Sequence, residues 1–112
     1  MKNGEKIRNT ANIFEIGCFT FDAEQSTLHD NSKNKTMTLT AMETGILQLL
    51  AENKNEVVRR EAILNRFWNT EDDYFASRSL DVFVTKLRKK LSTDASIEIK
   101  TVRGVGLALI LN

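Results

Sequence analysis

From Ile13 onward, apolar residues recur at every second position. Phe14, Ile16 and Cys18 alternate with polar or small residues in IFEIGC, and Phe19 and Phe21 follow in a second run, FTFD. Period-two alternation predicts short strands with one face buried, and Gly17 between the runs marks a bend or bulge. The cluster Asp30-Asn31-Ser32-Lys33-Asn34 has the chemistry of a turn. Leu28 lies before it and Met37 and Leu39 after it, so a hairpin is expected. Three or four short antiparallel strands therefore open the domain.

At Thr40 the period changes. Thr40-x-x-Glu43 is a capping box, in which each side chain satisfies an otherwise unpaired backbone N–H of the other residue. Met42, Ile46, Leu49 and Leu50 then form one helical stripe, and Asn53 to Asn55 stop it. Glu56-Val57-Val58 is too short for more than a strand fragment. REAILNRFW places Ala62, Ile63, Phe67 and Trp68 on one face of a second helix, and the acidic, aperiodic NTEDDYFAS reads as a loop. A third helix covers about residues 77–91. SIEIKTVRGVGLALILN reads as strand, Gly-x-Gly turn, strand. Strands, helix, short strand, helix, helix and hairpin make the order of an α+β winged helix-turn-helix.

The third helix decides what the fold is for. At about 100° per residue, Leu80, Phe83, Val84, Leu87 and Leu91 fall on one arc that faces the core. The opposite face collects Arg78, Val82, Thr85, Lys86 and Lys89, with Arg88 and Lys90 on its flanks. A solvated amphipathic helix would explain lysines at its C-terminal end, where they suit the macrodipole. Two residues fit that explanation badly. Val82 lies within the basic face, where its methyl pair could pack on a thymine methyl in a major groove. Arg78, in the first turn, opposes the dipole, a cost that a nearby phosphate would offset.

Charge distribution sharpens this reading. The net charge is only +1. From Ala76 to the end, however, seven Lys or Arg face three acidic residues, a surplus of four, which leaves residues 1–75 at −3. A basic C-terminal third suggests a local polyanion contact. Hydrophobic residues at 41% and a length of 112 fit one soluble domain with one core. No stretch approaches the roughly 20 apolar residues of a membrane span. MKNGEKIRNTAN lacks the apolar segment of a signal peptide, and a lone Cys18 excludes an internal disulfide framework. Cytoplasmic residence is the economical expectation, with residues 1–12 as a linker or tail and 13–112 as the folded domain.

SRSLDVFVTKLRKKL followed by IKTVRGVGL resembles the effector domain of OmpR/PhoB-type response regulators. The family pattern runs Arg-x-Val/Leu-Asp-Val-x-Val/Ile-x-x-Leu-Arg-x-Lys-Leu, then Thr-Val-Arg-Gly-x-Gly-Tyr. Arg78, Leu80, Asp81, Val82, Val84, Leu87, Arg88, Lys90 and Leu91 match the first part. Thr101, Val102, Arg103, Gly104 and Gly106 match the second. LTAMETGILQLLAENKNEVVRREAILNRFW is similar to the segment upstream, and the likeness covers residues from about Ile13 to Leu111.

The resemblance implies an N-terminal four-stranded antiparallel sheet, a three-helix core and a C-terminal β-hairpin wing. It also implies a bacterial transcription regulator that binds double-stranded DNA, the output half of a two-component system. The third helix would enter the major groove, with Val82 and Lys86 at base edges and Thr85 and Lys89 beside them. Trp68, Arg78, Ser79, Arg88 and Thr101 would meet phosphates. Arg103, on a wing at about residues 100–107, would enter the adjacent minor groove. Two copies would read tandem direct-repeat half-sites, and the isolated domain would be monomeric off DNA. A receiver domain elsewhere in the full-length protein would control it. The loop containing Asn69, Thr70, Glu71, Asp72, Asp73 and Tyr74 would touch RNA polymerase, as the equivalent loop does in several family members. Arg59 stands where the family often caps the second helix with Ser or Thr. Leu107 and Ala108 replace the wing's usual aromatic and basic residues, so a less well packed wing is expected.

Other chemistries find little support. His29 has no ligand cluster at metal spacing, Cys18 is expected as a small buried hydrophobe, and Ser77 and Ser79 lack a histidine partner. Gly104-x-Gly106 is followed by no helix, so a hairpin tip explains it better than a phosphate loop. Glu71, Asp72 and Asp73 lack the glycine and spacing of a calcium loop. Neither an enzyme nor a cofactor is expected. The rival is a winged-helix module that binds an acidic protein surface.

Overall fold

The structure, a computed structural model, describes residues 12–70 and 73–112. The expected linker therefore lies outside the described residues except for Asn12. That residue already joins the fold: its carbonyl accepts the Ala23 N–H at 2.9 Å and its side chain meets Gln48 Nε2 at 3.4 Å.

Four strands, β1 (Ile13–Ile16), β2 (Phe19–Asp22), β3 (Thr27–Asp30) and β4 (Lys35–Thr38), pair in sequence order as an antiparallel meander. The register sets Phe14 against Phe21 and Leu28 against Met37, so alternate side chains gather on one face. Ile16, Phe19, Phe21 and Leu28 are fully covered there. Gly17 forms the β1–β2 turn at φ +57°. A Cβ there would approach Asp94 Oδ2 to 2.4 Å, so the turn takes glycine for space as well as conformation. Cys18 belongs to this turn, not to a strand, and is only half-buried, with Sγ 3.6 Å from Asp30 Oδ1. His29 lies on β3, its Nδ1 2.7 Å from Thr36 Oγ1.

Helix α1 (Ala41–Glu52) begins at the capping box, with Glu43 N–H donating to Thr40 Oγ1 and Thr40 N–H to Glu43 Oε1 at 3.1 and 2.8 Å. Its buried arc is wider than the expected stripe. Leu47 and Ala51 are buried with Ile46 and Leu50, while Met42 and Leu49 are half-exposed. The helix packs against the two other helices and the C-terminal hairpin, so more than one side is covered.

Strand β5 (Val58–Arg59) leads into α2 (Arg60–Trp68), whose start has no side-chain cap. Ile63 and Leu64 are its buried residues, and Ala62, expected inside, is exposed. Helix α3 (Tyr74–Leu91) begins three residues before the expected start, because Asp73 caps it by accepting from the Phe75 and Ala76 N–H groups. Tyr74, Phe75 and Ala76 are thus helix rather than loop. Ala76, Leu80, Val84, Leu87 and Leu91 are buried, and Phe83 is half-buried.

The C-terminal hairpin, β6 (Ile97–Val102) and β7 (Gly106–Leu111), forms a three-stranded sheet with β7 between β5 and β6. Gly106 makes the β5 pairing possible, since a Cβ there would sit 1.9 Å from the Val58 carbonyl oxygen. The expectation of a loosely packed wing is corrected at its base. Leu107 and Ala108 are 2% and 1% exposed. A central strand covered by helices buries both faces, so small and aliphatic residues suit it. No helix among the described residues is long and apolar enough to cross a membrane.

Candidate nucleic-acid interface

The outer face of α3 is built from one stripe. Arg78, Val82, Thr85, Lys86 and Lys89 are all exposed, Val82 at 51%. Thr85 Oγ1 donates to the Asp81 carbonyl at 2.9 Å, which spends its proton within the helix and leaves lone pairs free to accept. The Lys86 ammonium lies 5.6 Å from the centre of the Phe83 ring, and the Arg78 guanidinium 5.8 Å from that of Tyr74. Arg78 Nη1 also donates to the Tyr74 hydroxyl at 3.3 Å. Aromatic contacts thus hold two long cationic side chains on the outer face. Trp68 is half-buried between Phe67 and Phe83, with ring centres 6.5 and 6.4 Å away, and Ser79 is half-buried at the edge of the stripe.

Arg88 and Thr101, predicted as separate phosphate contacts, are bonded to each other. Arg88 Nη2 donates to Thr101 Oγ1 at 2.8 Å, and Nε and Nη2 both donate to the Ile99 carbonyl at 2.9 and 2.6 Å. This guanidinium fastens the hairpin to α3. Arg103 stands exposed at the hairpin tip, beside a groove of about 570 Å³ that Arg60, Ser77, Thr101 and Gly104 also line. In the loop before α3, Asn69 adopts the left-handed conformation at φ 56° and ends α2, and Thr70 is half-buried; Tyr74, the first residue of α3, is 66% exposed. Glu71 and Asp72 lie outside the described residues. Among the described residues no group of three or more His, Cys, Asp or Glu could hold a metal ion.

Residues 34–109 match the family described as "Transcriptional regulatory protein, C terminal". The chain belongs to that family. It is 41% identical over 105 residues to the transcriptional regulatory protein RprY of Bacteroides fragilis, covering 94% of this chain and 43% of the relative. It is 40% identical over 100 residues to the heme response regulator HssR of Staphylococcus saprophyticus, covering 88% and 43%. The chain thus spans under half the length of these relatives. Among solved structures, the Klebsiella pneumoniae RstA DNA-binding domain in complex with RstA box aligns with a TM-score of 0.71 at 27% identity, covering 88% of this chain and 96% of that one. The DNA-binding domain of CpxR from E. coli aligns at 0.75 with 24% identity over the same shares, a likeness of fold alone.

In this transcriptional-regulator C-terminal domain the cluster Lys86, Arg88, Lys89, Lys90 divides by task. Lys90 turns inward, with Nζ 3.0 Å from Glu43 Oε1 and 3.4 Å from the Thr38 carbonyl. The Glu43 carboxylate is almost wholly buried. Burial alone would raise its pKa, but the Thr40 N–H and the hydrogen bond and charge of Lys90 outweigh that and hold it below the ordinary glutamate value. Arg88 supports the hairpin. Lys86 and Lys89 are exposed and have no carboxylate partner among the described residues. Arg60 was not singled out in the sequence, yet its Nη2 donates to the Ser77 carbonyl and hydroxyl and to Asp81 Oδ1, the last at 2.9 Å. It thereby fixes the first turns of α3 against α2. Nothing in the local pattern marks it, because Asp81 lies 21 residues away.

Proposed function

We propose that this chain is the sequence-specific double-stranded-DNA-binding output domain of an OmpR/PhoB-type response regulator, acting in the cytoplasm as a transcription regulator. The observation that carries the reading is the outer face of α3, where exposed Val82 stands among cations with no carboxylate partner among the described residues. Lys86 is suited to guanine O6 and N7, and Val82 to a thymine methyl. Thr85 and Lys89 flank them, and Arg103 reaches the adjacent minor groove. Trp68, Arg78, Ser79 and the bonded pair Arg88–Thr101 meet the backbone, which positions the helix without reading sequence. By the resemblance to OmpR/PhoB-type regulators, the full-length protein would read tandem direct-repeat half-sites, carry a receiver domain, and touch RNA polymerase through Asn69–Tyr74.

Titrating the ¹⁵N-labelled chain with duplex DNA from its own promoter, at two salt concentrations, tests this. Amide shifts concentrated in 78–90 and 100–106, weakening with salt, are expected. Shifts absent from both segments on every duplex would defeat the DNA reading in favour of a protein-binding module.

A further inference from the structure

The β3–β4 hairpin carries two lysines that the sequence gives no reason to connect with α3. Lys33 lies in the turn and Lys35 opens β4, directly opposite Asp30 in the register. In the fold they share a pocket of about 480 Å³ with Lys89, Lys90 and Thr93, at the C-terminal end of α3. Asp30 also lines it, its carboxylate held within the fold by neutral donors and still carrying one negative charge. Oδ1 accepts from the Ser32 hydroxyl at 2.6 Å and from the Ser32 and Lys33 N–H groups at 2.9 and 3.2 Å, and Oδ2 accepts from Thr93 Oγ1 at 3.3 Å. Lys90 is held by Glu43. Lys33, Lys35 and Lys89 are exposed and have no ion-pair partner among the described residues. Three free ammonium groups therefore surround one rim, against the single negative charge of the buried Asp30.

We propose that this rim is a second backbone-binding surface, which grips the phosphates of DNA flanking the base pairs that α3 reads. The proposal rests on the DNA-binding reading above. Its geometry follows from Lys89, which belongs both to the outer stripe of α3 and to the pocket. A helix lying in the major groove along Val82, Lys86 and Lys89 ends with Lys89 at the groove wall, and the wall is sugar-phosphate. Lys33 and Lys35 extend the contact outward from that point. Arg78 would hold the wall at the other end of the helix, so the helix would be gripped at both ends. Lysine suits this task, since a flexible point charge meets phosphates without demanding one geometry.

The test compares the wild-type chain with a Lys33→Gln, Lys35→Gln double variant, whose side chains stay long and polar on an exposed hairpin. Fluorescence anisotropy follows binding over a salt series, on one half-site with extended flanks and on one trimmed to the base pairs read by α3. On the long duplex the slope of log affinity against log salt is expected to fall by about 2, roughly 0.9 for each lysine that releases a counterion. Preference for specific over scrambled sequence should be unchanged, and on the trimmed duplex wild type and variant should coincide. A variant slope equal to wild type on the long duplex overturns this inference alone. A loss confined to tandem sites also overturns it, by assigning the lysines to a second copy of the chain. If wild type binds no duplex of any sequence, the DNA reading itself falls.

Discussion

Lys86 and Lys90 are four positions apart and chemically identical, yet their surroundings assign them opposite duties. Lys90→Met removes a charged hydrogen bond and leaves the buried Glu43 carboxylate with only its cap contacts. It should cost about 1–3 kcal/mol of stability in urea unfolding, while the salt dependence of DNA binding stays at the wild-type slope. Lys86→Ala should do the reverse, with unchanged stability and about 1–3 kcal/mol lost in discrimination at one base pair, read in a binding series over point-substituted duplexes. The same pair sets part of the pH dependence. Glu43 has a folded-state pKa below its unfolded value, so its contribution is fully present above about pH 4.3 and lost as pH falls through the folded value. Asp30 and Asp94 add the same sign, lowered chiefly by the hydroxyls of Ser32 and Ser96. In Lys90→Met the folded-state Glu43 pKa should rise towards or above its unfolded value, so the share of acid destabilisation that Glu43 contributes should shrink relative to wild type. Urea midpoints between pH 3 and 6, an interval chosen around the roughly 4.3 of a free glutamate, would show it.

At the scale of elements, the N-terminus of α3 depends on Asp73. Asp73→Ala should cost about 1 kcal/mol and speed amide exchange at Phe75 and Ala76, the two N–H groups that the carboxylate holds. Gly106→Ala drives a Cβ into the Val58 carbonyl and should cost about 1–3 kcal/mol, seen as a lowered Tm with loss of the β5–β7 pairing. The period-two runs, the Thr40–Glu43 box and the Gly-x-Gly hairpin were legible because each is a contact between near neighbours along the chain. The early start of α3 was not, because Tyr74 and Phe75 are exposed and give no apolar period, and Asp73 was grouped with the acidic residues before it. Ala62 and Leu64 exchanged places for a related reason. Nine residues span under three turns, too short for a stripe to fix the rotation of α2, which its packing against α3 and the hairpin decides.

For the whole molecule, the reading predicts a monomer in solution that gains affinity only when two half-sites lie in tandem. Sedimentation of the isolated chain should give a single species of 12.7 kDa, and loss of one half-site should abolish cooperative occupancy of the other. By itself the sequence determined the element order, the positions of the hairpins, the two faces of α3 and the segments that align with the family. All of these depend on local periodicity or on residues near in the chain. The tertiary structure alone decided which cations are free. Lys90 finds Glu43 across 47 residues, Arg60 finds Asp81 across 21, and Thr93 meets Asp30 across 63. Coulombic attraction and hydrogen bonding act through space over a few ångströms, and separation along the chain does not set that distance. Only the packed fold shows which of the charges are consumed in holding it together and which remain at the surface.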